Sequence, residues 1–470
     1  MAIKTEVKAP PMVSGKLPVL GHLMEYRRDR TALLRRGYEE HGRVFAIKLG
    51  PQNVAVLIGP ENQKTFFMET DKKLSMEEPY KFLRDAIGNI AFLAEHETYV
   101  EQRPILHEPF KRHKMPQYVS VMQEQVQKWL DTLGDEGQFE LTSAMNLLVQ
   151  EVAGYALMGE DFQQTVGREF WEQYEFIGKA LDPVLPPNLP LPKFRRRDKA
   201  RQRMGEILEP IIAERRKNPD QYNDFLQDIV NKPYKDGRPV EDDVIISLMI
   251  GLMFAGHETT AGQSAWTIIE LLKAPDMLAL VEQEILRHAP PGTELSVEVL
   301  AEMPHIAWAV REIERLHPSA DMVIRYAREP IEAEGYTVPE GWLVQTAAMI
   351  AHQLPEVFAD PEQYDPLRYA PGREEDKQHR FTLVGFGGGV HRCTGMNFAN
   401  NEQSVIVALL LQQFELTLLN HDQEIDYGLG ANRPTETWIQ YKRRPITERV
   451  VLAERDEAAA GGCPVPHGRE

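Results

Sequence analysis

A single cysteine that follows three glycines is the most informative group in this chain. Gly387, Gly388 and Gly389 precede Cys393, and a helical run begins at Met396. Adjacent glycines let a backbone approach a flat partner closely, and free N–H groups at the amino end of a helix favour a thiolate. Such a thiolate would be a metal ligand or a nucleophile. For an isolated Cys-x-Gly sequence, a turn that holds a buried cysteine is the commoner case.

The residues around this cysteine exclude several other sites. A phosphate-binding loop would need Gly-Lys-Ser/Thr after the glycines, and the GxGxxG spacing of dinucleotide-binding loops is absent. The second cysteine, Cys463, lies 70 residues further on. Neither a disulfide framework nor a multi-cysteine zinc or iron–sulfur site is therefore available, and we expect a cytoplasmic, soluble protein.

The glycine and cysteine spacing resembles the haem-binding signature of the cytochrome P-450 superfamily, FxxGxxxCxG. Phe386, Gly389, Cys393 and Gly395 match it. The resemblance implies haem b, with Cys393 as the axial iron ligand and with Phe386, Gly387 and Gly395 among the residues that contact the cofactor. A thiolate ligand to haem iron favours cleavage of the O–O bond of dioxygen.

A second motif, Ala255-Gly-His-Glu-Thr-Thr260, resembles the oxygen-activation stretch of the same superfamily. By itself it could be a helix that tolerates poor helix formers. The resemblance implies that Ala255 and Gly256 lie beside the cofactor and that Gly256 permits a local opening of the helix. The Thr259 hydroxyl would then support dioxygen and water, and Glu258 would relay protons.

Two further motifs match an arginine and glutamate network of the superfamily. Glu312 and Arg315 fit the ExxR pair, and Arg368 lies in the segment Pro366-Leu-Arg-Tyr369 that supplies a second arginine. Taken alone, a pair at this spacing is a surface ion pair worth about 0.2 to 0.5 kcal/mol. The resemblance implies instead a buried network that locks the cysteine loop.

The two haem propionates need cationic or hydroxyl partners. Arg103 is the first candidate, because Tyr99-Val-Glu-Gln-Arg103 resembles the WxxxR element of the superfamily. Arg325 and His391 match positions that commonly contact propionates, and Tyr80 is a further candidate. For each of them, a solvated surface group is the alternative.

Within the superfamily, the closest resemblance is to the sterol 14α-demethylase branch, over Met253–Leu271 and Pro192–Asp198. Two features differ from that branch. Glu258 stands where that branch usually carries histidine, and the segment Tyr80–Ala94 is one residue shorter than in that branch.

We expect an apolar substrate such as a steroid or sterol, a terpenoid, a fatty acid or an aromatic. The candidate pocket residues are Phe82, Ile87, Phe92, Phe254, Met322, Val323 and Trp438, although aromatic and methionine side chains are more often plain core.

The resemblance implies a monooxygenase that inserts one oxygen atom from dioxygen into its substrate. Sterol 14α-demethylase proper, a peroxide-using peroxygenase, and a noncatalytic haem sensor or hydrophobic-ligand carrier stay open as alternatives.

No flavin or iron–sulfur module is fused to the chain, so electrons must come from a separate ferredoxin or flavodoxin. Its dock would be the basic run Lys111, Arg112, His113 and Lys114, for which a solvated surface is the alternative. We expect a monomer.

The elements that must position these groups are mainly helical. Apolar residues recur at helical spacing from about residue 117 onward, whereas Val44–Ile58 has the alternation of a β-hairpin and two later patches, Met322–Val344 and Phe414–Tyr441, are β-like. We predict the cytochrome P-450 fold, which is mainly α with small β-sheets: a triangular-prism helical domain with a minor β-rich region. A flexible segment (1–15), one catalytic domain (16–453) and a disordered tail (454–470) would make up the chain.

Composition agrees with a soluble enzyme. Of the 470 residues, 42% are hydrophobic and 26% are charged, which is ordinary for a globular protein. The net charge of −18 disfavours nonspecific binding to nucleic acid, which requires clustered Lys and Arg. We see neither a signal peptide nor a transmembrane anchor, because the longest apolar stretch, Ile245–Ala255, is too short to span a bilayer.

Overall fold

Helices dominate the computed structural model, which describes residues 8–91, 93–182, 185, 187, 189–428 and 431–445. The α-helices are α1 (Leu23–Arg28), α2 (Arg30–His41), α3 (Pro60–Glu69), α4 (Lys81–Ile87), α5 (His96–His107), α6 (Met115–Asp131), α7 (Leu141–Ala153), α8 (Glu160–Phe162), α9 (Arg168–Ala180), α10 (Pro192–Lys217), α11 (Phe225–Asn231), α12 (Asp242–Lys273), α13 (Pro275–His288), α14 (Val297–Ala301), α15 (Pro304–Leu316), α16 (Ala348–Ala351) and α17 (Met396–Gln413). Short 3₁₀ turns lie between them, and two π-helical turns flank α8, at Gly154–Met158 and Gln163–Gly167.

Small β-sheets flank the helices. The strands are β1 (Val44–Leu49), β2 (Gln52–Leu57), β3 (Leu74–Ser75), β4 (Glu136–Glu140), β5 (Ile324–Ala327), β6 (Ile331–Ala333), β7 (Tyr336–Val338), β8 (Leu343–Thr346), β9 (Phe414–Leu418), β10 (Ile425–Asp426), β11 (Arg433–Pro434) and β12 (Trp438–Arg443). One sheet has the order β1-β2-β8-β5-β3 and another β4-β12-β9, while β6 pairs with β7 and β10 with β11. The three β-like segments of the sequence therefore contain strands.

The predicted hairpin is formed by β1 and β2, which pair in register from Val44 opposite Leu57 to Leu49 opposite Gln52. The chain before it differs from our expectation of flexibility up to residue 15. Val13 is buried, and its N–H donates to the carbonyl of Ala46 at 2.9 Å. The described part of this segment is thus attached to the edge of the sheet. Residues 1–7 and the predicted tail, with Cys463, lie outside the described residues, and so does Phe92.

Helix α12 runs through the core and carries the Ala255–Thr260 motif. It packs against α7, α15, α17 and β11. Among the described residues, it is the helix that is long and apolar enough to cross a membrane, but 67% of its most apolar stretch is buried inside the protein. A helix that is apolar on all sides and buried in this way is a core helix. It can hold a group rigidly at the centre of the molecule.

Candidate active site

The cysteine loop connects the 3₁₀ turn of Gly389–His391 to the amino end of α17. Gly387 and Gly389 have positive φ angles of 70° and 65°, a conformation that glycine adopts at low cost. The N–H of Cys393 donates to the carbonyl of Phe386 at 2.9 Å, which closes the loop on itself. Gly395 is the amino-terminal cap of α17. The loop therefore presents the cysteine at a helix start, as the spacing predicted.

Helix α3 packs directly against the three glycines. A Cβ on Gly388 would lie 2.8 Å from the Phe67 ring, and a Cβ on Gly389 would lie 2.7 Å from the Phe67 carbonyl oxygen. Real Cβ atoms do not approach other atoms so closely. The glycines thus allow α3 to pack closely against the loop, and they also allow the loop to adopt its positive φ angles.

Cys393 is an exposed residue, yet protein atoms surround its sulfur closely. Burial raises its pKa, although the N–H groups of Gly395 and Met396 and the charge of Arg392 act in the opposite direction. The helix start is therefore not sufficient to give a low-pKa thiolate in the protein alone. A bound metal cation would deprotonate the thiol outright.

The predicted arginine and glutamate network is assembled and fully buried. Arg315 donates to Glu312 through Nε and Nη2 at 2.9 and 2.7 Å, and Arg368 donates to the same carboxylate at 3.0 Å. Tyr369 adds a hydroxyl donor to Glu312 at 2.8 Å, and Glu375 pairs with Arg368 at 2.7 Å. Arg315 and Arg368 thus share the Glu312 carboxylate, and Glu375 is a second partner of Arg368.

His352 links this network to the cysteine loop, and our sequence analysis missed it. Its Nε2 accepts the backbone N–H of Val384 at 3.0 Å, and its Nδ1 lies 3.3 Å from the carbonyl oxygen of Arg315. Burial, reinforced by the charge of Arg315, lowers the pKa of His352 to about 3. The ring is neutral at ordinary pH and can accept this hydrogen bond. No motif marks His352, because its role depends on the folded contact.

Ala255 and Gly256 interrupt the buried surface of α12. Both are exposed, whereas Gly251 and Leu252, one turn earlier, are buried, and Thr259, one turn later, is half-buried. Apart from the backbone of α12 itself, no atom of the described residues lies within 4 Å of a Cβ placed on Gly256. The Thr259 hydroxyl donates to the Ala255 carbonyl at 2.7 Å. The helix runs unbroken through Gly256, so the structure differs here from the local opening we expected. A hydroxyl that bonds the carbonyl four residues earlier often bends a helix without ending it.

A small cavity lies between this part of α12 and the Gly385–Phe386 end of the cysteine loop. Thr259 and Thr260 lie on one side, and Gly385 and Phe386 lie on the other. Two motifs that are more than 100 residues apart in the sequence therefore line one space.

Glu258, which precedes Thr259 on α12, is half-buried. Burial raises the pKa of its carboxyl, and the nearby Arg433 opposes the shift. Arg433 itself pairs with Asp426 across the β10–β11 hairpin at 2.9 Å. A raised pKa lets a carboxyl keep its proton closer to neutral pH, which suits a proton donor.

The candidate propionate partners differ in their surroundings. Arg325 is buried, and its Nε has no partner among the described residues, while its Nη1 donates to the Ile324 carbonyl at 2.8 Å. His391 is bound to Asp71 through Nε2 at 2.6 Å, and its buried Nδ1 has no partner among the described residues. Arg103 is exposed and donates to His107 at 3.2 Å. The Tyr80 hydroxyl accepts the N–H of Ile324 at 3.3 Å.

The candidate pocket residues do not form one group. Phe82, Ile87 and Phe254 belong to the main helical core or pack against it, whereas Val323 packs with the core near the five-stranded sheet. Met322 accepts a hydrogen bond from the Tyr26 hydroxyl. Trp438 is 40% exposed on β12, and its Nε1 donates to Glu436. Trp438 therefore lies at the surface, because exposed and buried side chains alternate along β12 and it stands at an exposed position.

The basic run that we predicted as a dock is partly neutralised. Lys111 pairs with Glu108 at 2.6 Å, and Lys114 pairs with Asp228 at 2.8 Å. Arg112 and His113 remain exposed on the 3₁₀ turn before α6. The positive field of this surface is therefore smaller than the sequence suggests.

Comparison with known proteins identifies the family. The family model described as Cytochrome P450 matches residues 10–434. The chain belongs to the cytochrome P450 family. A solved structure of retinoic acid-bound cyanobacterial CYP120A1 superposes with a TM-score of 0.84 at 25% sequence identity, covering 93% of this chain and 100% of that one. The predicted cytochrome P450 fold is thereby confirmed.

Sterol demethylases are among the most similar curated relatives of this cytochrome P450. Sterol 14-demethylase of Arabidopsis thaliana is 31% identical over 94% of this chain and 92% of that protein. Sterol 14alpha-demethylase of Mycolicibacterium vanbaalenii is 33% identical over 94% and 99%. Lanosterol 14-alpha demethylase of Bos taurus is 27% identical over 94% and 89%. The predicted resemblance to this branch is confirmed, and the chain is a cytochrome P450 monooxygenase rather than a noncatalytic sensor or carrier.

The family implies haem b as the cofactor, and the described residues fit it. Cys393 is an exposed cysteine at the start of α17, and the space beside Gly256 on α12 is open. The unpartnered buried nitrogens of Arg325 and His391 are the groups that acidic substituents of such a cofactor would satisfy.

Proposed function

We propose that this cytochrome P450 oxidises an apolar, sterol-like molecule and that Cys393 ligates the haem iron. The observation that carries the proposal is the cavity shared by the Thr259 turn of α12 and the Phe386 end of the cysteine loop. The sterol demethylases among the relatives support the substrate class. Other steroids, terpenoids, fatty acids and aromatics are the other apolar candidates for the substrate. The most specific reaction that the proposal includes is sterol 14α-demethylation.

The chain's own residues have separate tasks in this reaction. Haem, when bound, supplies the chemistry that activates dioxygen. Ala255 and Gly256 leave room on α12, and the Thr259 hydroxyl holds a hydrogen bond in that space. Glu258 delivers protons, because burial raises the pKa of its carboxyl.

Cofactor retention falls to a second set of residues. Arg325 and His391 offer buried nitrogens to the haem propionates. Arg103 and Tyr80 are further partners of the propionates in this proposal. Phe386, Gly387 and Gly395 shape the loop that holds Cys393. The buried network of Glu312, Arg315 and Arg368 also fixes this loop. His352 connects the two, because its ring accepts the backbone N–H of Val384, just before the loop.

The ligand assignment is tested by the absorption spectrum of the reduced carbonyl adduct. The wild-type protein should show the long-wavelength Soret band that an anionic sulfur ligand produces, and Cys393→Ala should lose it. Cys463→Ser is the matched control, since it removes the other cysteine, and it should keep the band. A wild-type protein that folds but lacks the band contradicts the proposal.

The substrate class is tested by titrating purified protein with a panel of sterols, terpenoids, fatty acids and aromatics while recording the Soret band. Sterols should give the tightest spectral response. Product analysis then separates sterol 14α-demethylation from hydroxylation elsewhere. Turnover with peroxide instead of a reduced ferredoxin system distinguishes the peroxygenase alternative, and we expect the ferredoxin system to be the faster one.

We also propose that the redox partner is a separate acidic ferredoxin or flavodoxin. Arg112 and His113 form the exposed part of its dock, with Lys111 and Lys114 held by carboxylates behind them. The protein would act as a cytoplasmic, soluble monomer.

A further inference from the structure

Asp71 lies at a strained turn between α3 and β3. Its φ angle is 67°, in the left-handed region that non-glycine residues rarely adopt, and its N–H donates to the carbonyl of Leu74 at 2.8 Å. Such strain persists where the surrounding structure requires it, and it is common at functional sites. The turn directs the Asp71 carboxylate toward the cysteine loop.

One oxygen of Asp71 serves two histidines. Its Oδ2 lies 2.6 Å from Nε2 of His391 and 2.9 Å from Nδ1 of His96. Burial opposes ionisation of Asp71, but the hydrogen bonds and charges of His391 and His96 hold its pKa below the ordinary value. An ionised carboxylate only accepts hydrogen bonds, so Nε2 of His391 carries the proton in this contact.

The His391 ring is fixed on its other sides by Tyr99. The two ring centroids are 4.0 Å apart, and the Tyr99 hydroxyl donates to the carbonyl of Val390 in the same loop. The His391 side chain is only 4% exposed. With Nε2 held by Asp71, the ring leaves Nδ1 buried and without a partner among the described residues.

We propose that Asp71 is a positioning residue for the cofactor, and that it orients His391 so that Nδ1 of the ring meets a haem propionate. With Nε2 held by Asp71, Nδ1 is the ring nitrogen that remains to face the cofactor. Carboxylates that orient a histidine in this way commonly determine how tightly a site holds its metal centre. Arg325 lies within the electrostatic reach of the same carboxylate, which places the second unpartnered nitrogen nearby. This inference rests on the proposed haem site.

The test is the rate at which haem leaves the ferric protein for an excess of apomyoglobin. Asp71→Ala should speed haem release by roughly 10-fold or more. His96→Gln, which removes the exposed histidine from the same carboxylate oxygen, is the matched control and should release haem at the wild-type rate. Asp71→Asn keeps an acceptor for Nε2 and should lie between the two.

A double-mutant cycle separates positioning from a general loss of stability. If Asp71 acts through His391, the double variant Asp71→Ala/His391→Ala should release haem no faster than His391→Ala alone. Resonance Raman spectra should show the same shift of a propionate bending band in Asp71→Ala and His391→Ala. Additive effects, or wild-type release from Asp71→Ala, overturn the inference. If Asp71→Ala does not fold, Asp71→Asn in the same cycle decides the question.

The two proposals fail differently. If the wild-type protein binds no haem, or binds haem without showing the sulfur-ligand band, the proposed function is wrong. A wild-type protein with that band, whose Asp71 variants release haem at the wild-type rate, ends only the role of Asp71.

Discussion

At the level of single residues, motifs in the sequence indicate the candidate reacting groups but not their partners. Cys393, Glu258 and Thr259 lie in motifs whose spacing is visible in the sequence. The partners of His391 and Arg315, namely Asp71 and the His352 backbone carbonyl, are distant in the sequence. Only a folded chain brings such groups within hydrogen-bond distance.

We expect Thr259→Ala to uncouple electron use from product formation. The variant loses the hydroxyl at the exposed turn of α12 while the buried neighbours of that turn stay unchanged. Product formed per electron consumed should fall on the order of tenfold, with more peroxide released, as is common when a proton-transfer group is removed. Haem content should equal that of the wild type. Thr259→Ser keeps the hydroxyl and is the control, and unchanged coupling in Thr259→Ala would argue against the relay.

The buried Glu402 on α17 makes stability depend on pH. Burial raises the pKa of its carboxyl to about 8, and one of its oxygens has no partner among the described residues. Between the unfolded value near 4.5 and about 8, the native state binds more protons than the unfolded state, so the free energy of unfolding falls as pH rises.

Glu402→Gln should remove this slope. The stability of the variant relative to the wild type should grow by at most about 1.4 kcal/mol per pH unit across that window, measured by denaturant unfolding from pH 5 to pH 8. Glu415→Gln removes one negative charge from an exposed residue just after the same helix and is the control. Parallel pH profiles for Glu402→Gln and the wild type would contradict the expected role of burial.

At the level of elements, α15 supports the cysteine loop through a buried ionic network. The hydropathy pattern predicted the helix, and the ExxR spacing put Glu312 and Arg315 on one face. Their complete burial could not be predicted from spacing alone, because the same pattern occurs on exposed helices. The short strands β3 and β4 were also missed, since two or five residues carry too little alternation to be recognised.

Glu312→Ala should therefore lower the free energy of unfolding far more than the loss of a surface ion pair does. It leaves Arg315 and Arg368 buried without their shared carboxylate, which costs roughly 3 to 5 kcal/mol. Denaturant unfolding and the haem content of the purified protein measure the effect. Glu78→Ala is the matched control, because Glu78 pairs with Lys81 at the same i, i+3 spacing at the surface. That pair is worth at most about 1 kcal/mol, and equal costs for the two variants would argue against the network.

At the level of the whole molecule, the distribution of charge determines how a partner approaches. The chain carries a net charge of −18, so an acidic protein is repelled by most of its surface. Local cations such as Arg112 then have a large influence on where the partner binds. The sequence predicted the basic run, but it could not show that Glu108 and Asp228 neutralise two of its lysines.

Arg112→Glu should raise the KM for a reduced acidic ferredoxin by roughly two- to tenfold, since it reverses a charge at the proposed dock. Substrate binding, measured by the Soret titration, should not change. The difference between the variant and the wild type should shrink as salt is added. Arg168→Glu, which reverses a fully exposed charge on α9, is the control. If both variants raise KM equally, the partner responds to net charge rather than to this surface.

The cysteine loop is held by contacts from widely separated parts of the chain, including Asp71, Tyr99 and the α15 network. Synthesis on a ribosome proceeds from the amino end, so these supports emerge long before Cys393 does. On the proposed ligand assignment, the cofactor can therefore be bound only after Cys393 has emerged. A product that stops before Cys393 would carry most of the scaffold without the proposed iron ligand.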